Sequence, residues 1–239
     1  MAAYAGIDNF DSYSAGDLNL QNGGSGWAAE WTGSTAYDVQ TSVVFSSPNA
    51  VSASNTSGVT INRLLSASVD SGDMYVAMRA SGTNAQGYGT IVLYGTSTVA
   101  AVFGFVQNSI LRVSSNGSNI DLLNPYIAGT WYIFHLVFLS STTFKLRWKE
   151  AGGSFSSFTS TLTYLNSVSV MNKVDISVDK EGSSTVYYFD SLQTTDPDAP
   201  SDISVSDTLT VTESVAVQIV HEVNGPSSFF RVGIKLIDG

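Results

Sequence analysis

The chain has no cysteine, so no disulfide supports it and no thiol is available as a nucleophile or zinc ligand. It has 2 histidines, His135 and His221, one in each region, too few for a zinc site within one subunit. Charge is sparse. Charged residues make up 13%, and 20 Asp and Glu against 10 Lys and Arg give a formal charge of -10. That sign disfavours nucleic acid and anionic membrane as partners and leaves calcium or neutral glycans as easier ones. No stretch approaches the ~20 apolar residues of a membrane helix, so no membrane insertion is expected. The opening MAAYAGIDNFDSYS lacks a basic or apolar leader segment. The expectation is either a leader already removed or release without one, as a phage structural protein is released by lysis.

What the sequence does have is alternation. Hydrophobic residues reach 43% and aromatic residues 11%, with Ser, Thr, Gly and Asn in place of a charged surface. The centre is residues 129–150, GTWYIFHLVFLSSTTFKLRWKE, which predicts two antiparallel strands joined by a polar turn. Both alternating sets of the first strand are apolar, so both its faces should be covered. In the second, Phe144, Leu146 and Trp148 alternate with Lys145, Arg147 and Lys149, a face that meets solvent, internal carboxylates or an acidic sugar. Further strands are expected at 58–61, 64–69, 74–80, 88–94, 98–106, 110–113, 120–123, 155–165, 174–178 and 185–192. Turn signals stand between them, DSGD at 70–73 and the hairpin signature SNGS at 115–118 among them. No helical period intervenes, which predicts an all-β, two-sheet antiparallel jelly-roll sandwich.

After this domain, residues 1–196, the prolines of 197–202 read as a linker. Residues 203–239 form an extended β tail whose six-residue units place Ile203, Val205, Leu209, Val211, Val215, Val217 and Ile219 on one face. Leaving that face wet would forgo on the order of 10 kcal/mol, so it should be covered. Either it folds on its own sandwich, or identical tails pack about an axis as a homo-oligomer, with a trimer favoured. The segment 229–239 is again strand-like and reads as a docking piece.

Four stretches, IDNFDSYSAGDLNLQNGGSGW, DMYVAMRAS, GTWYIFHLVF and VYYFDSLQT, resemble the landmarks of concanavalin A-like and laminin-G-like jelly rolls over about residues 5–195. The resemblance implies that first and last strands lie side by side, and a structural calcium at Asp11 and Asp190. The alternative there is that both aspartates cap backbone. Laminarinase-type members carry Glu-x-Asp-x-x-Glu on one strand. Here Glu30, Glu150, Glu181, Glu213 and Glu222 are isolated, from which a non-catalytic protein is expected. His135 reads as a hydrogen-bonded core or groove residue. Glycan binding would need outward aromatic faces, and parity points to Tyr75, Arg79, Tyr88 and Tyr94, with Trp31 in an irregular loop. The alternative for each is to close the sandwich edges.

These features point first to a virion-surface subunit, a phage head-decoration or fibre-like protein whose lectin-like domain contacts capsid or glycan. The second reading is a secreted, extracellular bacterial carbohydrate-binding or adhesin module, and the third a polysaccharide hydrolase or lyase.

Overall fold

The computed structural model describes residues 2–53, 58–83, 86–116, 118–179, 181, 184–199, 216–222 and 231–237. The chain divides into two units, Met1–Ala199 and Pro200–Gly239.

The first unit is all-β, built from two antiparallel sheets with one apolar core between them. In the first sheet the order is Ser118–Leu123, Ile110–Ser115, Thr98–Val106, Tyr88–Gly95, Met171–Asp179 and the front half of Val59–Ala80. In the second it is Gly16–Asp17, Tyr37–Gln40, Ala50–Ala53, Tyr187–Gln193, the back half of Val59–Ala80, Trp131–Phe138, Thr143–Glu150 and Leu162–Thr163. Period-two alternation explains the layering. Ile91, Leu93, Phe103, Phe105, Val174, Ile176 and Val178 on the first sheet face Val76, Met78, Tyr132, Phe134 and Phe189 on the second. Phe103 and Phe134 meet across the gap with ring centroids 5.5 Å apart.

One strand serves both sheets. The sequence predicts a break at 70–73, yet Val59–Ala80 runs through it as a single strand. Gly72, at φ +95°, supplies a bend and not a reversal. Just before it Val69 pairs with Met171; from Gly72 onward the partner is Trp131–Phe138. The chain thus changes sheet without changing direction.

The central hairpin forms as expected, Phe134 opposite Trp148 and Phe138 opposite Phe144. Its outer face is covered as well, by a different device. The expected strand 155–165 shrinks to Leu162–Thr163, and the irregular stretch before it lays Phe155 and Phe158 against His135. The first strand, Ala2–Ala3, pairs instead with Val59–Ala80, and the start of the chain meets the last strand of this unit only at an isolated bridge, through paired hydrogen bonds between Asp8 and Leu192. Ahead of Pro200 the chain is held to the sandwich, where Asp196 and Asp198 reach buried Lys149 at 2.8 and 3.3 Å.

Beneath the Gly-rich 17–31 stretch lies a buried ion pair. Arg63 Nη1 approaches Asp8 Oδ2 at 2.6 Å, and Trp31 Nε1 (2.8 Å) and Tyr13 Oη (2.5 Å) donate to the same carboxylate. Gly24 and Gly26 cross over residues 5–8 at φ +66° and +78°, a conformation that glycine adopts without a Cβ penalty.

In the second unit Ala216–Glu222 pairs antiparallel with Arg231–Ile237, Val217 opposite Leu236 and Ile219 opposite Ile234. The strand-like end of the chain therefore pairs within its own unit. Ile203, Val205, Leu209, Val211 and Val215 lie outside the described residues.

Candidate functional site

A groove of about 410 Å³ opens on the outer face of the first sheet. Strand parity builds it. Tyr88, Thr90, Val92 and Tyr94 point outward because Ile91 and Leu93 point into the core, and Ser177 and Val102 do the same on the neighbouring strands. Tyr88, Val106, Gln107 and Asn108 raise one wall, and Tyr94 and Val99 the other. The wall at Asn108 is a left-handed turn, φ +62°, a conformation asparagine tolerates. Between the walls the floor is sunk: Thr90 and Val92 are outward-facing yet only 3% and 8% exposed.

Charge around the groove is matched. Arg112 Nε meets Asp121 Oδ1 at 2.6 Å at one end. Beyond Tyr94, Lys173 Nζ lies 3.8 Å over the tyrosine ring and 3.1 Å from Asp175 Oδ1. Burial pushes the Asp175 carboxyl above its ordinary range, against the pull of Lys173. Burial likewise raises the Tyr94 hydroxyl, with Asp175 adding to it, so the phenol stays neutral.

The structure sorts the residues that the sequence singles out. Tyr88 and Tyr94 come together in this groove. Tyr75 and Arg79 are on the outer face of the other sheet. There Tyr75 stacks on His135 at 4.0 Å, and Arg79 donates to the Gly129 carbonyl at 2.8 Å while lying over Tyr188. Trp31 is corrected: it is fully buried, held by Asp8 and packed on Phe10 and Trp27, so no ring face is left to receive a ligand.

His135 has both nitrogens engaged. Arg147 Nε donates to Nδ1 at 2.9 Å, so Nε2 carries the hydrogen and gives it to Asp73 at 2.6 Å. Burial lowers its pKa although Asp73 opposes the shift. Arg147 is itself sandwiched between Phe155 and Phe158. Two residues of that strand's basic face, Arg147 and Lys149, are therefore engaged internally.

Asp11 and Asp190 do not fit calcium. Asp11 accepts from Asn9 Nδ2 and the Asn49 amide. Asp190 accepts from the amides of Phe45 and Ser46 and the hydroxyls of Ser46 and Ser191. Donors face both carboxylates, where calcium would need further oxygen acceptors. Among the described residues no group of three or more His, Cys, Asp or Glu could hold a metal. These aspartates tie the 45–49 loop to the sandwich.

Burial pushes Asp190 up to about 6, only partly offset by its donors. Its native form then binds a proton more tightly than the unfolded chain, whose aspartate has the ordinary value of 3.8. The stability from this group is complete below about pH 4 and is lost as pH rises through about 6. Asp190→Asn keeps an acceptor for the amides and removes the titration. Calorimetry between pH 4 and 6 should show a flatter melting-temperature profile than the parent, and an unchanged slope would show that Asp190 is not its source.

The sequence passes over Thr90, Ser177, Arg112, Lys173 and Asp175. The signal was present in parity: Lys173, Asp175 and Ser177 alternate with Val174, Ile176 and Val178, and Arg112 stands between Leu111 and Val113.

No family model matches the sequence, and no curated protein matches it. Solved structures do match the fold. The catalytic domain of the glycoside hydrolase family 131 protein from Coprinopsis cinerea superposes with a TM-score of 0.54 at 14% identity, covering 82% of this chain and 96% of that one. The likeness is one of fold. An endo-beta-1,4-glucuronan lyase from Trichoderma reesei (TM-score 0.48, 14% identity, 79% of this chain and 97% of that one) is also similar. So is a sialidase (0.48, 13% identity, 69% of this chain), of which this chain spans 17%.

The comparison with the family 131 domain corrects the expectation of a non-catalytic protein. A catalytic domain is built on this fold, so the missing Glu-x-Asp-x-x-Glu strand excludes one arrangement of carboxylates and does not exclude enzymatic activity.

Proposed function

We propose that the groove between Tyr88 and Tyr94 is a carbohydrate-binding site. The observation that carries this reading is the sunken floor, outward-facing by strand parity yet nearly covered, between two half-buried tyrosines. A site of a few hundred cubic ångströms with apolar walls and a few hydroxyl and amide groups suits a small polar ligand that has apolar ring faces. Sugars have both: C–H faces pack on tyrosine, and hydroxyls pair with Thr90, Ser177, Gln107 and Asn108. Lys173 holds Tyr94 in place from beside the strand.

Titration calorimetry against soluble neutral glycans tests it. Tyr94→Ala and Tyr88→Ala are each expected to weaken binding by about tenfold. Unaltered affinity in both variants would remove the groove from consideration.

The tail supports a second reading, a virion-surface subunit that assembles through residues 200–239. What favours it is that these residues separate as their own unit with an internal hairpin. Light scattering on the intact chain and on residues 1–199 is expected to give a trimer and a monomer. Two monomers would end that reading.

A further inference from the structure

Strand register lines up a row of small residues across the groove. Thr60 is opposite Ser177, Ser177 opposite Thr90, Thr90 opposite Gly104, Gly104 opposite Arg112, and Arg112 opposite Asp121. Strands lie about 4.8 Å apart, so Thr60 to Arg112 spans about 19 Å at right angles to the strands. The bulky side chains stand to either side, Tyr88 and Val106 on one, Tyr94 and Val99 on the other. The groove is thus a trough that crosses the strands.

We infer that this trough takes a linear, uncharged glycan several units long, lying along the row from Thr60 to Arg112. The inference rests on the carbohydrate reading above and adds length, direction and charge to it.

Length follows from the profile of the floor. Thr90 is 3% exposed, Ser177 is half-buried and Thr60 is exposed, so the trough shallows and runs out to solvent. A pocket for one terminal sugar would need a wall there. The gap at Gly104 is fixed by the backbone: at φ +133° a Cβ would meet the Gly89 carbonyl oxygen at 2.7 Å and Met78 Cε at 2.8 Å. Hydroxyl chemistry repeats along the floor. The hydroxyls of Thr60 and Ser177 are 3.2 Å apart, and Thr90 donates to the Ser177 carbonyl at 3.4 Å. Each oxygen keeps acceptor capacity for a ligand hydroxyl. The charge preference follows from Arg112. It is the cation of the row and is matched by Asp121, while the whole chain carries -10, which repels a polyuronate.

The test is titration calorimetry with cello-, laminari- and xylo-oligosaccharides of one to six units, beside oligogalacturonates of the same lengths. In one neutral series affinity should rise about tenfold or more from monosaccharide to hexasaccharide. Thr60→Trp, at the exposed end of the row, should abolish that gain. Ser177→Tyr is the second variant, expected to weaken every length. A monosaccharide bound as tightly as a hexasaccharide overturns the inference and leaves the carbohydrate reading standing. So does a Thr60→Trp protein of unaltered melting temperature that still binds the hexasaccharide fully, or an oligogalacturonate bound more tightly than any neutral chain. If no sugar of any length binds, the carbohydrate reading falls and this one with it.

Discussion

Asp8→Ala is expected to destabilise the protein by about 3–5 kcal/mol, the cost of leaving a buried charge without its partner. The charge is Arg63. Its guanidinium and the Asp8 carboxylate are both 1% exposed, and Arg63 also donates to the Ala29 carbonyl, Tyr13 and Asn22. Removing the carboxylate also takes away the acceptor of Trp31 Nε1 and of the Tyr13 hydroxyl hydrogen. Arg63 is enclosed further by the rings of Trp27 and Trp31 at 5.1 and 5.8 Å. The double variant Asp8→Leu, Arg63→Met should recover a large part of the loss, because no charge then remains to be paired. Urea denaturation of the three proteins decides. Equal losses in single and double variants would mean that shape at this site, and not the unpaired guanidinium, sets the cost.

Gly26→Ala is the second large effect, about 2–6 kcal/mol from left-handed backbone strain and overpacking together. A Cβ at this position would lie 1.9 Å from the Ala5 carbonyl oxygen and 2.4 Å from its carbon. Both are backbone atoms of a segment held by the Ile7 and Ser25 hydrogen bonds, so neither can swing away. Gly152→Ala is the comparison. That residue has φ +75° and nothing within 4 Å of its Cβ direction, so only about 1 kcal/mol of conformational cost is expected there. If the two substitutions cost the same by chemical denaturation, the collision contributes nothing.

Gly26 also shows how far the sequence could be read. Glycines in 22–26 announce a turn region, but that two of them must pass over residues 5–8 depends on a tertiary crossing with no local mark. The two-residue alternation of 131–138 and 143–150 is local, and the hairpin is where the letters place it. The break expected at DSGD was a real backbone signal with the wrong meaning, because a bend between sheets and a reversal call on the same residues. At the groove, parity revealed Tyr88 and Tyr94 but not which strands stand beside them. Ser177 joins Thr90 only through pairing across a gap of nearly ninety residues, and Gly104 carries no side chain to notice. Trp31 misled because its partner Asp8 lies far off in the chain and converts a loop tryptophan into core.

The strand Val59–Ala80 bears on how a ligand would be received. One continuous backbone is hydrogen-bonded into both layers and ties them together directly. Thr60 belongs to that same backbone, so the outer end of the trough is anchored to the far layer. A guest that bound there would meet a cleft already shaped, and would surrender little ordering entropy on arrival.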